Sequence, residues 1–270
     1  NDTNCQIGDT METSLLQEWM ASFHILSINA IIIYILKGTL FTVIISAIAV
    51  FLGVIFGSIL ALVRNYCNAP KYRVFKYLAI TYIEIFRNTP LLLWIFICVV
   101  FCPVPSIFAH KLFGLTTVET KLLFKASIAL ILFTSSVIAE IIRGGLNSIP
   151  QGQFEAGYSQ GFNVVQVMIY IILPQAIRNV VPTLLSQIIT TIKDSSYLAN
   201  VATVELMSRV RQILSSANMY NGIGNINVSD VFVLYGCAAV IYFIINFSLS
   251  LFVRHLNAKK SKIKITAVKA

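Results

Sequence analysis

Glu84 and Arg87 stand three positions apart inside one apolar run, and Glu140 and Arg143 repeat that spacing inside another. Ionisable residues in such runs are rare and costly, so each is a functional candidate by default. On a helix this spacing puts both members of a pair on one face, where they partly neutralise each other. Either the pairs are self-satisfied and face a bundle interior, or they line a path for a zwitterion, whose ammonium and carboxylate need one partner of each sign. Asn88 and Pro90 follow the first pair, and Pro90 breaks the run soon after Arg87, freeing a backbone carbonyl that a neighbour or a water-lined cavity must satisfy. Pro182 is expected to do the same in a later run. That run ends at Lys193, Asp194, Ser195 and Ser196, read as facing the path or an outer gate rather than simply capping a helix. Glu140 lies near the expected cytoplasmic exit, where a gate or a loop anchor is as good a reading as substrate contact.

Other chemistries find little support. His24, His110 and His255 are isolated and offer no zinc spacing. The five cysteines form no Cys-x-x-Cys pair, and those inside apolar runs read as small hydrophobes. No metal or other cofactor is expected. The chain contains no Gly-Lys dipeptide, hence no Gly-x-x-x-x-Gly-Lys-[Ser/Thr] phosphate loop, and ATP is not bound by that route. A catalytic centre of its own is not expected.

The elements that must position these charges follow from composition. Apolar side chains make up 57% of the 270 residues and charged ones 11%, with a mean hydropathy of +0.81. Soluble domains carry about 25% charged residues, so both a soluble surface and disorder are excluded. The net charge of +9 does not indicate nucleic acid, because the basic residues sit in short segments between apolar runs. The reading is an all-α integral membrane protein.

A span needs about 20 residues. The first apolar stretch is interrupted by Lys37-Gly38, so residues 25–36 are read as an interfacial helix or elbow and 39–63 as the first span. Further spans are 77–101, 122–142, 176–192 and 231–253, five in all. Lys and Arg divide twelve to six between the loops of the two faces, and residues 1–17 carry no basic residue. This places the amino terminus outside, as an acidic tail rather than a signal peptide, and the carboxyl terminus in the cytoplasm. Gly53 and Gly57 have the spacing of a close helix contact, best used inside the subunit. The basic tail, residues 255–270, reads as a topology determinant attracted to anionic lipid. The expected division is a tail and interfacial helix over 1–36, a transmembrane domain over 37–254 with a cytoplasmic loop over 144–175, and the basic tail.

Two segments fit no span. Residues 195–217 lie outside and carry Val201, Val204, Met207 or Ser208, and Arg211 at helical spacing. Residues 150–174 lie inside, turn apolar at 164–173 and are too long for a simple turn. There the chain reads Glu155-Ala156-Gly157, then Gly161, then Ile171-Ile172-Leu173-Pro174. This resembles the "EAA" signature of ABC importer permeases, Glu-Ala-Ala, three residues, Gly, nine residues, Ile-x-Leu-Pro. Gly157 replaces the second Ala, which weakens a helix by about 0.5–1 kcal/mol. A short helix opening with Glu155 would set its carboxylate at the positive end of the dipole. Ala156, Gly157 and Gly161 would offer a small-residue face to another protein.

The likeness extends over roughly residues 37–254. Glu84 to Leu92, Ala139 to Gln153 and Lys193 to Leu198 resemble segments of the polar amino-acid permeases, closest to the glutamine/glutamate type. The resemblance implies a type I ABC importer permease of a bacterial plasma membrane, paired with itself or a sister permease. It implies cytoplasmic ATPase subunits, which bind the ATP and dock on Glu155, Ala156, Gly157, Gly161, Leu173 and Pro174, and an extracytoplasmic solute-binding protein. Cystine or basic amino acids are alternative cargoes. An ion-coupled secondary transporter is the rival class, but it usually shows internal repeats, and none is evident.

Overall fold

The computed structural model describes residues 17–67, 69–111, 114–216 and 226–269, with side chains to residue 255 except that of Ala109. The acidic stretch 1–16 and the side chains of the basic tail lie outside the described residues. Every regular element within them is helical.

A helical segment over residues 17–25 turns at 26–28 into α1, Asn29–Tyr66. A 3-10 turn, Pro70–Tyr72, leads into α2, Arg73–Arg87, and α3 is Leu91–Phe101. α4 covers Thr117–Asn147 behind a capping box of Thr116 and Glu119. α5 is Gln151–Ser159. A short lead, Val164–Gln166, and a π turn, Val167–Ile172, run into α6, Leu173–Asp194. A 3-10 stretch, Ser195–Val201, precedes α7, Leu206–Ser215, and α8 is Val228–Lys269. Four helical stretches are long and apolar enough to cross a membrane, and a fifth span arises if the bent pair α2–α3 is one.

α1 and α4 form the spine. A Cβ on Gly57 would lie 2.8 Å from the Ser135 carbonyl oxygen, and one on Gly53 would lie 3.1 Å from Thr134. The glycine spacing is thus spent inside the subunit. Ile45 and Ala49 of α1, Ile95 of α3 and Leu130 of α4 close one apolar cluster. A second joins Ile25 and Ile35 to α7 and α8 through Leu206, Val210 and Leu234. There Ser22 Oγ donates to Asp230 Oδ1 at 2.7 Å and lies 2.8 Å from Ser229 Oγ.

The structure departs from the sequence expectations at four places. Lys37-Gly38 does not break α1, which runs from Asn29 as one helix. Gly38 is a crossing point, since a Cβ there would stand 2.8 Å from Arg209 Cγ and 3.0 Å from Leu206 Cα. Pro182 likewise sits within a continuous α6. Residues 164–173 are not a separate piece but the start of the long helix that becomes α6. The helix expected from Val201 starts only at Leu206, because Ala202 is left-handed at φ 51° and Glu205 provides the cap.

Candidate functional site

At the end of the bundle that carries α5, five charges converge. Arg64, in the last turn of α1, pairs with Glu140 of α4 and lies 3.5 Å from Glu84. Arg87 reaches the other oxygen of Glu140 at 3.5 Å. Arg143 grips the same carboxylate through Nη2 at 2.9 Å and Nε at 3.0 Å. Glu140 is therefore the hub for three arginines. Its side chain is 14% exposed, against 48% for Glu84 and 41% for Arg87. Asn88 Nδ2 donates to the Glu84 carbonyl at 2.8 Å and to its carboxylate at 3.1 Å.

The bend after Arg87 aims this cluster. α2 and α3 meet at 110° across Asn88-Thr89-Pro90. A proline kink alone is gentler, and here the turn is held from the far side. Trp94 Nε1 donates to Thr89 Oγ1 at 2.7 Å, and its ring stacks on Phe86 at 4.1 Å. The Tyr82 hydroxyl donates to the Leu132 carbonyl at 2.9 Å and lies 2.9 Å from Ser135 Oγ, which fixes α2 against α4. Glu140 and Arg143 pair as their spacing predicts. Glu84 and Arg87, however, turn to partners on other helices. Arg64 was missed because it reads as the first charge of a basic loop.

At the other end, the hydroxyls after α6 fold back on their own helix. Ser195 Oγ donates to the Ile192 carbonyl at 2.8 Å and Ser196 Oγ to the Lys193 carbonyl at 2.7 Å, the bonds a cap makes. Lys193 is exposed and Asp194 half-buried.

Close by, sequence reasoning missed Glu205, which is fully buried. Its carboxylate accepts from the Ser208 amide at 2.6 Å, the Met207 amide at 2.8 Å and the Tyr242 hydroxyl at 3.2 Å. Thr42 Oγ1 accepts from the Leu206 amide at 3.0 Å, so α1, α7 and α8 meet at one polar knot. An acid just before an amphipathic stretch is an N-cap signal, hidden when the helix is started at Val201. Glu205→Ala is expected to cost about 2–4 kcal/mol, since it strands two amides and a hydroxyl in the interior. Glu205→Gln should cost less, and thermal unfolding in detergent measures both. Equal melting of Glu205→Ala and the parent would refute the cap.

The signature loop is a compact unit. α5 opens at Gln151 behind Pro150, so Glu155 is exposed in its second turn and the dipole argument for it does not hold. Helix residues advance about 100° per position at 3.6 per turn, so neighbours diverge. Ala156 faces out and Gly157 faces in, and no single small-residue face forms. A Cβ on Gly157 would stand 2.8 Å from Val167 Cγ2 and 2.9 Å from Ile171 Cδ1, so glycine is what lets α5 lie on the π turn.

Gly161, at φ 82°, ends α5 in a Schellman turn: the Phe162 amide donates to the Gly157 carbonyl and the Gly161 amide to that of Tyr158. Asn163 and Gln166 then cap each other reciprocally, both bonds at 2.9 Å. Pro174 has no amide for the ladder, and the turn before it widens to π spacing. Gln175 Nε2 ties the unit together, donating to Gln153 Oε1 and the Ile171 carbonyl at 2.9 Å. Glu155, Ala156, Tyr158, Tyr170, Leu173 and Pro174 remain exposed.

Residues 53–262 match the family described as binding-protein-dependent transport system inner membrane component. The chain belongs to this family. It is thus a multi-pass inner-membrane permease with the type I ABC importer permease fold. The probable glutamine ABC transporter permease protein GlnP of Bacillus subtilis (strain 168) is 34% identical over 228 residues, covering 84% of this chain and 94% of GlnP. The L-cystine transport system permease protein TcyB of the same organism is 35% identical over 209 residues, covering 77% and 80% respectively. Among solved structures, an amino acid ABC transporter with histidines matches at a TM-score of 0.69 and 26% identity, over 87% of this permease and 97% of that chain. The inward-facing MetNI methionine ABC transporter shares the fold, at a TM-score of 0.58 and 19% identity over 84% and 98% of the two chains.

Proposed function

We propose that this permease is the membrane subunit of an ATP-driven polar amino-acid importer, with glutamine or glutamate as favoured cargo. Its amino terminus is outside and its carboxyl terminus in the cytoplasm. It works as a pair with itself or a sister permease, receives cargo from an extracytoplasmic binding protein and is driven by ATPase subunits that bind and hydrolyse the ATP. The chain itself binds no cofactor and is not an enzyme.

The observation that carries this reading is the loop. Its signature residues form one helix and turn with an exposed outer face, closed by the Schellman turn at Gly161 and the Asn163–Gln166 cap and tied through Gln175 to α6. A push on α5 is therefore delivered to a membrane helix rather than lost in a flexible connection. At the same end, Glu140 and its arginines join α1, α2 and α4, so a shift of those helices must open or remake ion pairs. Glu84, Arg87, Asn88 and the bend at Pro90 line the path, where half-exposed charges of both signs suit a zwitterion. Lys193, Asp194, Ser195 and Ser196 border its outer end. The similarity to the B. subtilis glutamine permease GlnP favours the cargo assignment.

The test is uptake of a labelled amino-acid panel by proteoliposomes that hold the permease with its native partners, binding protein outside and ATP inside. ATP-dependent uptake of glutamine or glutamate is expected, and cystine would move the cargo to the TcyB type. Glu155→Ala leaves the membrane core intact and is expected to lower ATP-driven uptake by about tenfold or more. Uptake that follows an ion gradient and ignores Glu155 would overturn the importer.

A further inference from the structure

At the end of α1 away from the loop lies a cleft of about 610 Å³ lined by Tyr34, Lys37, Leu40, Phe41, Ile44, Gly114, Leu115, Glu119 and Arg209. Its chemistry changes along α1. Lys37 and Arg209 stand at one end with Tyr34 and Glu119, whereas Leu40, Phe41 and Ile44 continue toward the middle of the helix. The seven steps from Lys37 to Ile44 rise about 10 Å at about 1.5 Å each. Leu40 is 57% and Ile44 41% exposed, on a face whose neighbours Ile33, Leu36 and Ile48 are also open.

The polar end is built rather than floppy. Arg209 is only 7% exposed. Its guanidinium sits 4.3 Å over the Tyr34 ring, bonds the Tyr34 hydroxyl and Gln212, and pairs with Glu119 at 3.2 Å. Glu119 is otherwise occupied by the backbone and hydroxyl of Thr116, both at 2.9 Å. Arg209 Nε has no hydrogen-bond partner among the described residues, and no ion pair of Lys37 occurs among them. Glu119 offsets one of the two cations and one positive charge remains.

We propose that this cleft seats one anionic phospholipid, its phosphate at Lys37 beside Arg209 and an acyl chain along Leu40, Phe41 and Ile44. A single phosphodiester charge balances the spare cation. The sequence of charged then apolar lining matches the order in which a lipid presents headgroup and chain across a leaflet. A lysine merely reaching for the interface explains neither the fixed Arg209 nor the cleft that continues below it.

Native mass spectrometry of the detergent-purified complex, titrated with phosphatidylglycerol and phosphatidylcholine, tests this. One phosphatidylglycerol per permease chain should be retained in preference to phosphatidylcholine. Lys37→Gln, at an exposed position that folding does not need, should lower that retention by about fivefold. Lys121→Gln, which removes a cation outside the cleft, should leave it unchanged. Equal retention of the two lipids, or equal loss in both variants, would overturn the site. Displacement of the lipid by millimolar inorganic phosphate would make the ligand a free anion instead. Disulfide dimers of Leu40→Cys would give the face to a second copy of the chain.

Discussion

Replacing Glu140 by alanine is expected to lower stability and transport together. Arg64, Arg87 and Arg143 all converge on this carboxylate, and without it three guanidinium groups face one another with only Glu84 nearby. Removing one partner of an enclosed ion pair is costly because the remaining charge is left without compensation. Arg87 and Arg143 keep some access to solvent, at 41% and 32% exposure, so the cost is about 2–3 kcal/mol rather than that of a fully buried pair. A loss of that size in the competent state corresponds to about tenfold or more in uptake. Glu140→Gln keeps an acceptor but not the charge and should fall between the alanine variant and the parent. Thermal unfolding and ATP-dependent uptake should move together. Uptake unchanged in Glu140→Gln would mean that the network is ornamental to transport.

The second large effect is expected at Gly157. Alanine there gains up to about 1 kcal/mol of helix propensity, but its Cβ meets Val167 Cγ2 at 2.8 Å. Val167 is 1% exposed, and a β-branched side chain has few rotamers to retreat into. Overpacking of this kind costs about 1–3 kcal/mol, so Gly157→Ala should be close to neutral or mildly damaging. Gly157→Val leaves no such compromise and must push α5 off the π turn. The expected result is a permease that still purifies and melts almost normally, because the membrane core is untouched, but whose ATP-driven uptake is lost and whose ATPase partner copurifies poorly. A fully active Gly157→Val would show that the seating of α5 on Val167 and Ile171 does not matter for coupling.

Gly157 also shows where reading the chain alone goes astray. As a departure from the signature it reads as a weakened helix, whereas in the fold it is a contact that a methyl group would obstruct. Glu155 and Ala156 were legible as signature positions, but not the start of their helix at Gln151. Near the other end, the interruption at Lys37-Gly38 looked like the edge of the membrane. It proved to be the point where α1 passes under Arg209, because a glycine in an apolar run can mark close approach as readily as a break. Glu205 was invisible for a related reason. A buried acid is acceptable only when donors surround it, and those donors come from α7 and from Tyr242, 37 positions away.

Sequence alone determined what depends on local composition and spacing. The long apolar runs must be helices, because a bilayer admits only helices and closed barrels, and barrel strands are short and alternate apolar with polar residues. The loop signature, the Gly53 and Gly57 contact and the want of a phosphate loop were all readable in short windows. Tertiary structure decided which charges meet. Arg64 and Glu140 are separated by 76 positions, and only the crossing of α1 and α4, close-packed at Gly57, brings the guanidinium to that carboxylate. Hydropathy reports how each helix sits in lipid, whereas ion pairing depends on how helices are rotated against one another, and that rotation is set by side-chain packing across the whole bundle.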